Sequence, residues 1–337
     1  MSTKDHAMTT LRPSHRESPE NHQASPPQPT RALSSRFARW DKKYSAYVYI
    51  LPFFVLFALV GAIPLAYTAW VSLNDWSLIG GQGDFIGFDN YVAVLGERNF
   101  WIALRNTLSI FIIQVIPQLV IGLAIAAALD RNLRNGTLWR MGVLLPFIVM
   151  PVAVALIFNS LYGDQYGLIN TTLQSLGLPT VGWHSDVLPS HIAIATMVDY
   201  RWTGYAALIL LAGMQAIPRD YYEAATLDGA GSLRQFFSIT IPQLRGTLIF
   251  VIVTATIGGL QIFDEPRLFD DQGLGGPDGQ WLTLTLYLYK LGWNDLDFGR
   301  ASAVAWLLFC LIAIIALINL FITTRIASSA RRKRKGE

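Results

Sequence analysis

The chain has 337 residues and a single cysteine, Cys310, so it can form no intrachain disulfide. It has no G-x4-G-K-[ST] sequence, the loop that cradles nucleotide phosphates, so it is not expected to hydrolyse ATP itself. It has no H-E-x-x-H and no cysteine cluster, so no metal site is expected. The histidines are His6, His15, His22, His184 and His191; scattered in this way, they read as solvated surface residues. No nucleophile with its base is evident on adjacent segments, so neither catalysis nor a cofactor is expected. Charge is also scarce, at 15% of residues, where soluble domains carry about 25%. The net charge of +3 does not call for a nucleic-acid partner.

Apolar residues, by contrast, are abundant: 52% of the chain is hydrophobic. A membrane-crossing helix needs roughly 20 mostly apolar residues. Six runs meet that need, at about 46–73, 104–129, 139–162, 191–216, 246–265 and 301–325. These predict an all-α, polytopic membrane protein with six transmembrane helices. Basic residues set the orientation. They gather before the first run (Arg31, Arg36, Arg39, Lys42, Lys43), after the second (Arg131, Arg134, Arg140), after the fourth (Arg219, Arg234, Arg245) and after the last (Arg331 to Lys335). Residues 163–190 carry no Lys or Arg, and 74–103 carry only Arg98. Both termini are therefore expected in the cytoplasm, with the basic ends within reach of membrane lipid. Residues 1–43 read as a disordered basic tail, 44–325 as the membrane domain and 326–337 as a second basic tail. The first 30 residues lack the apolar core of a signal peptide.

The connection at 217–245 is the most specific stretch. It carries Glu223, Ala224 and Ala225, then Gly229, Ile239 and Pro242, in the spacing EAA-x3-G-x9-I-x-I-P. Local chemistry predicts two short helices at an angle. Pro218 suits a first helical position and Asp220 the positive end of the dipole. Gly229 and Gly231 suit a helix stop, and Ser232 with Gln235 reads as a capping box. An ordinary amphipathic loop is the plainer alternative, but it does not account for Glu, Gly and Pro all in register between two apolar runs.

The stretch resembles the EAA loop of binding-protein-dependent ABC importer permeases, with Ile241 where leucine is usual. The rest of the chain, from about Tyr49 to Thr324, resembles the MalF/UgpA-like permease subunits of carbohydrate ABC importers. The likeness is carried by LPFFVLFALVGAIPLAYTAWVSL, by FIGFDNYVAVL, by GLIN at 167–170, by YRWTGYAALILLAGMQAIP and by GGLQIFDEPRLF. FDEPRLFD and LYLYKLGW are similar to cellobiose-type permeases of actinobacteria. The resemblance implies a sugar permease, not an enzyme, with ATP hydrolysis on a separate subunit. It also implies a second homologous permease, a cytoplasmic ABC ATPase dimer and an extracytoplasmic solute-binding protein. On this view Glu223, Ala224, Ala225, Gly229, Ile239 and Pro242 couple the membrane helices to the ATPase.

Polar groups inside membrane helices are costly and mark function. Gln114, Gln118, Asn159, Asp199, Arg201, Trp202, Tyr205, Gln261, Asp264 and Glu265 all fall in or beside the apolar runs. One reading assigns Asn159, Arg201, Trp202, Tyr205 and Gln261 to a cavity for sugar hydroxyls and sugar faces. The other pairs Arg201 with Asp264 or Glu265 as a structural ion pair. Only Arg201 lies deep in a run, which favours a neutral disaccharide or short oligosaccharide over a glycerol-3-phosphate-type solute, since a phosphate calls for several cations. A non-transporting membrane scaffold leaves the EAA spacing unexplained.

Overall fold

The computed structural model describes residues 35–131, 134–270 and 272–333; the outer parts of both basic tails, 1–34 and 334–337, lie outside them. The chain divides into two compact units, 1–62 and 63–337. The first holds α1 (Ser35–Phe57) and a π-helical turn at Ala58–Ala62. α1 takes in residues 35–43, which the sequence reading placed in the tail. Residues 47–57 are exposed and apolar apart from Pro52, as expected of a helix with no polar face that turns towards lipid.

The second unit begins with α2 (Ile63–Ser72), a hairpin of β1 (Asn74–Ser77) and β2 (Gly81–Phe85), and α3 (Asp89–Gly96). The hairpin departs from the all-α expectation. It turns at Gly80 and Gly81, the latter at φ +72°, which favours glycine. Next come α4 (Arg98–Leu129), α5 (Gly136–Ile148), α6 (Pro151–Tyr162), α7 (Leu168–Ser175) and α8 (Val187–Gln215). α9 (Asp220–Leu227), α10 (Ser232–Gln235) and α11 (Ile241–Gln243) are short. α12 (Arg245–Leu260), α13 (Asp264–Leu268), α14 (Leu284–Tyr289) and α15 (Phe298–Lys333) complete the chain.

Among the described residues, four helical runs are long and apolar enough to cross a membrane: Tyr47–Ser72, Arg98–Leu129, Arg245–Leu268 and Phe298–Asn319. α5 and α6 make a fifth if the bent pair is one span. The single continuous helix expected over 139–162 is therefore corrected: it breaks at Val149 and Met150 with an 87° bend. Pro151 is the cause, since its ring forces the preceding residue out of the helical region, and Met150 has ψ 137°. α8 is long enough at 29 residues, but the polar stretch from Asp199 to Tyr205 keeps it out of the apolar set. It is instead well packed, with Ala193, Ile194, Met197, Ala207 and Leu210 fully buried.

α4 and α8 pack along most of their length. α4 presents Ala103, Thr107, Ile110, Gln114, Gln118, Gly122 and Ala126, all buried and spaced by three or four residues, the period of one helix face. Gly204 of α8 lies against α5 so closely that a Cβ there would collide with the Val143 carbonyl oxygen. α4 and α8 run in parallel: Ser109 meets His191 near their starts, and Gly122 meets Ala206 further along. The starts of both helices therefore lie at the end of the unit away from the 217–245 loop.

That end is clamped by buried polar groups. Asn106 Nδ2 donates to the carbonyls of Gly279 (2.7 Å) and Leu282 (3.1 Å), and Leu284 N–H donates to Thr107 Oγ1 (2.9 Å). His191 lies 2.9 Å from Ser109 Oγ and 2.8 Å from the Gln280 carbonyl. It is 1% exposed, which corrects its reading as a surface histidine: an apolar helix start buries it, and the loop carbonyl supplies the partner a buried ring needs. His184 is part-exposed, stacked on Phe269 at 4.3 Å and 3.6 Å from Asp164.

Candidate functional site

The 217–245 loop forms an elbow. α9 ends in a closed cap, with Ala230 N–H donating to Ala225 O (2.9 Å) and Gly229 N–H to Thr226 O (3.0 Å). This pattern needs a left-handed residue, and Gly229 supplies it at φ +74°. Two local expectations change. Pro218 lies outside α9, whose cap is Arg219. The capping box does not form: Gly231 is the cap of α10, and Gln235 Nε2 reaches back to Ala230 O and Thr226 Oγ1, both at 2.9 Å. Gln235 thus bridges the two arms of the elbow. Tyr222 OH to Thr240 Oγ1, 2.9 Å, makes a second bridge.

The elbow has an inner and an outer side. Ile217 and Leu244 are buried, and Tyr222 and Phe236 pack with them against Leu210 and Met214 of α8. Glu223, Ala224, Gly229 and Pro242 are exposed, while Ala225 and Ile239 are half-buried. Beside them stand Leu227 at 90% exposure, Leu233 at 78% and Phe237 at 66%. Three large apolar side chains thus stand exposed on a polar loop. The sequence reading overlooked them because it followed the motif rather than the apolar residues between its positions.

The second cluster lies on α8. Arg201 Nη1 donates to Glu265 Oε1 at 2.7 Å, and the two side chains are 12% and 6% exposed. Trp202 and Tyr205 meet over Phe147, which stacks on Tyr205 (5.0 Å) and meets Trp202 edge-on (5.1 Å). The two rings line a cleft of about 480 Å³ with Gln114, Gln118 and Thr254. Gln114 Nε2 donates to Gln118 Oε1 (2.8 Å), leaving Gln114 Oε1 buried without a partner. A larger cleft of about 1130 Å³ lies on another side of α8, lined by Pro146, Phe158, Asp199, Tyr200 and Thr203. There Asp199 Oδ1 and Thr203 Oγ1 are buried and unpartnered.

The five residues assigned to a solute path thus fall in different places. Trp202 and Tyr205 share a cleft. Arg201 is held by Glu265. Asn159 Nδ2 donates to the Leu268 carbonyl at 3.0 Å, joining α6 to α13. Gln261 is exposed at the end of α12 and lines neither cleft. Phe147 was not singled out from sequence. Gln114, Gln118 and Asp199 stood out only as intramembrane polar groups.

Residues 91–335 match the family described as binding-protein-dependent transport system inner membrane component. The chain is 34% identical over 282 residues to the sulfoquinovosyl glycerol transport system permease protein SmoG of Agrobacterium fabrum, covering 82% of this chain and 90% of that one. It is 35% identical to the lactose transport system permease protein LacF of Rhizobium radiobacter, covering 73% and 84%. It is 33% identical to the trehalose/maltose transport system permease protein MalF of Thermococcus litoralis, covering 81% and 92%. A chain in the crystal structure of a bacterial alginate ABC transporter, solved with an alginate pentasaccharide-bound periplasmic protein, has the same fold, with a TM-score of 0.72 at 19% identity over 86% of this chain and 97% of that one.

Proposed function

The chain belongs to the family of binding-protein-dependent transport system inner membrane components, and from that premise we propose that it forms one half of the path by which a neutral disaccharide or short oligosaccharide enters the cell. It is a permease subunit of a sugar ABC importer, and ATP hydrolysis belongs to a separate subunit. The relatives at 33–35% identity serve transport systems for sulfoquinovosyl glycerol, lactose, and trehalose and maltose. The observation that carries our reading is the elbow at 217–245, anchored on its inner side and apolar on its outer side. In this reading Glu223, Ala224, Ala225 and Gly229 seat in a cleft of the cytoplasmic ATPase, with Ile239 and Pro242 closing the second arm. α8 leads directly into the elbow, so movement of the ATPase reaches Trp202 and Tyr205 along one helix.

We read α8 as the sixth span beside the five apolar ones, in the orientation set by the basic loops. A reporter enzyme fused after residue 130 or 230 is expected to read as cytoplasmic, and one fused after 175 or 280 as external. A cytoplasmic signal at 175 would reverse this orientation.

The solute path in this reading runs beside α8, where aromatic faces and unpartnered polar atoms meet. Trp202, Tyr205 and Phe147 offer stacking surfaces; Gln114 Oε1 offers an acceptor to a sugar hydroxyl. Few polar groups in an apolar wall is how small-molecule sites are built. Tyr205→Ala and Gln114→Leu are each expected to lower sugar uptake by about threefold to tenfold, a loss of about 1 kcal/mol or a little more, with the complex still assembled. Uptake at the parental rate in both variants would move the path to the partner permease.

A further inference from the structure

A third cleft, of about 1030 Å³, opens at the end of the unit away from the elbow. It lies between the first turns of α4 and the glycine-rich segment 272–282, and its wall is mostly polar. Five cations stand near this end. Three are satisfied internally: Arg105 donates to Asn106 Oδ1 (3.1 Å), Arg300 pairs with Glu97 (2.8 Å) and Asp297 (2.5 Å), and Arg267 lies over the Tyr289 ring at 5.6 Å. The other two, Arg98 and Lys290, line the cleft, and neither side chain has an ion pair or hydrogen bond among the described residues. Asp278 is the one carboxylate in the wall, so the cleft keeps a net positive charge, to which the start of the 32-residue α4 adds its dipole.

The wall is rigid for a loop. Gly276 and Gly279 hold φ values of +89° and +71°. Asn106 fixes the Gly279 carbonyl from α4, and His191 fixes that of Gln280 from α8. A preformed cleft does not lose ordering entropy when it is filled. Its chemistry narrows the occupant. No aromatic ring lines it for a sugar face, and only Ile102, Leu274, Pro277 and Leu282 are apolar, too little to hold acyl chains.

We propose that this cleft receives a carboxylate side chain of the extracytoplasmic solute-binding protein, with Arg98 and Lys290 as its cationic partners. The inference rests on the orientation and the importer reading proposed above. Unpaired cations at a docking rim steer encounter and set register.

The test uses the complete transporter, reconstituted with its partner permease and ATPase, and titrates binding protein against ATPase rate. Arg98→Glu with Lys290→Glu is expected to raise the half-stimulating concentration at least about tenfold, or about 1.4 kcal/mol, with basal rate and plateau unchanged. It is also expected to abolish the weakening of docking by salt. Glutamate at the start of α4 suits the helix dipole, so the helix should remain intact, and Arg98→Gln with Lys290→Gln should give a smaller shift in the same direction. Unchanged half-stimulation would overturn the assignment, as would a lowered plateau alone. A shift seen only in anionic bilayers would give the cleft to lipid headgroups instead. A parental transporter that binding protein does not stimulate would remove the importer reading, and this inference with it.

Discussion

Gly229→Asp should abolish sugar uptake, while Gly229→Ala should only weaken it. Gly229 sits at φ +74° with nothing within 4 Å of where a Cβ would be. Alanine therefore costs only backbone strain there, roughly 1–2 kcal/mol. Aspartate visits the left-handed region more readily than alanine, so its strain is smaller. If strain were the whole effect, aspartate would be the milder change. If the space beside Gly229 is where the ATPase surface lies, the added carboxylate blocks close approach and aspartate is the harsher one. The expected result is a membrane-inserted permease that no longer co-purifies with its ATPase and takes up less than about a tenth of the parental sugar, a deficit of 1.4 kcal/mol or more. Glu223→Lys should impair coupling in the same direction. Aspartate milder than alanine, or normal uptake with Gly229→Asp, would show that the elbow does not seat as argued.

Arg201→Ala should destabilise the folded permease by about 3–5 kcal/mol, because it leaves Glu265 buried without its cation. The pair joins α8 to α13 just past the break that ends α12. Replacing both partners with apolar residues of similar volume, Arg201→Met with Glu265→Met, should restore much of the loss, since no charge then remains unpaired. The measurement is the thermal midpoint of the purified transporter, with sugar uptake read in parallel. If the double variant regains stability and also transports, Arg201 is a strut. If it regains stability but transports nothing, Arg201 acts on the solute as well. A single variant as stable as the parent would show that the pair bears no structural weight.

The elbow was legible in the sequence because it depends on local rules. A positive φ requires glycine, short helices require stops, and a polar stretch between apolar runs requires a surface. Local rules failed where a side chain had a better partner elsewhere. Gln235 was expected to cap its own helix, but the other arm lies within reach and takes it. His191 was expected in solvent, but the 272–283 segment folds back and offers a carbonyl.

Composition alone determined that this chain is apolar, helical and membrane-bound in character, because burying or lipid-coating so many consecutive apolar residues leaves few other solutions. It also narrowed the candidates for a solute path to the few polar groups inside the runs. Which of those groups face a cleft was decided by the tertiary structure. Arg201 and Trp202 are neighbours in sequence, yet one points to Glu265 and the other to Phe147, because successive residues on a helix lie about 100° apart. Their roles follow from how α5, α12 and α13 are placed around α8, and that placement rests on contacts such as Gly204 against Val143 that no single segment encodes.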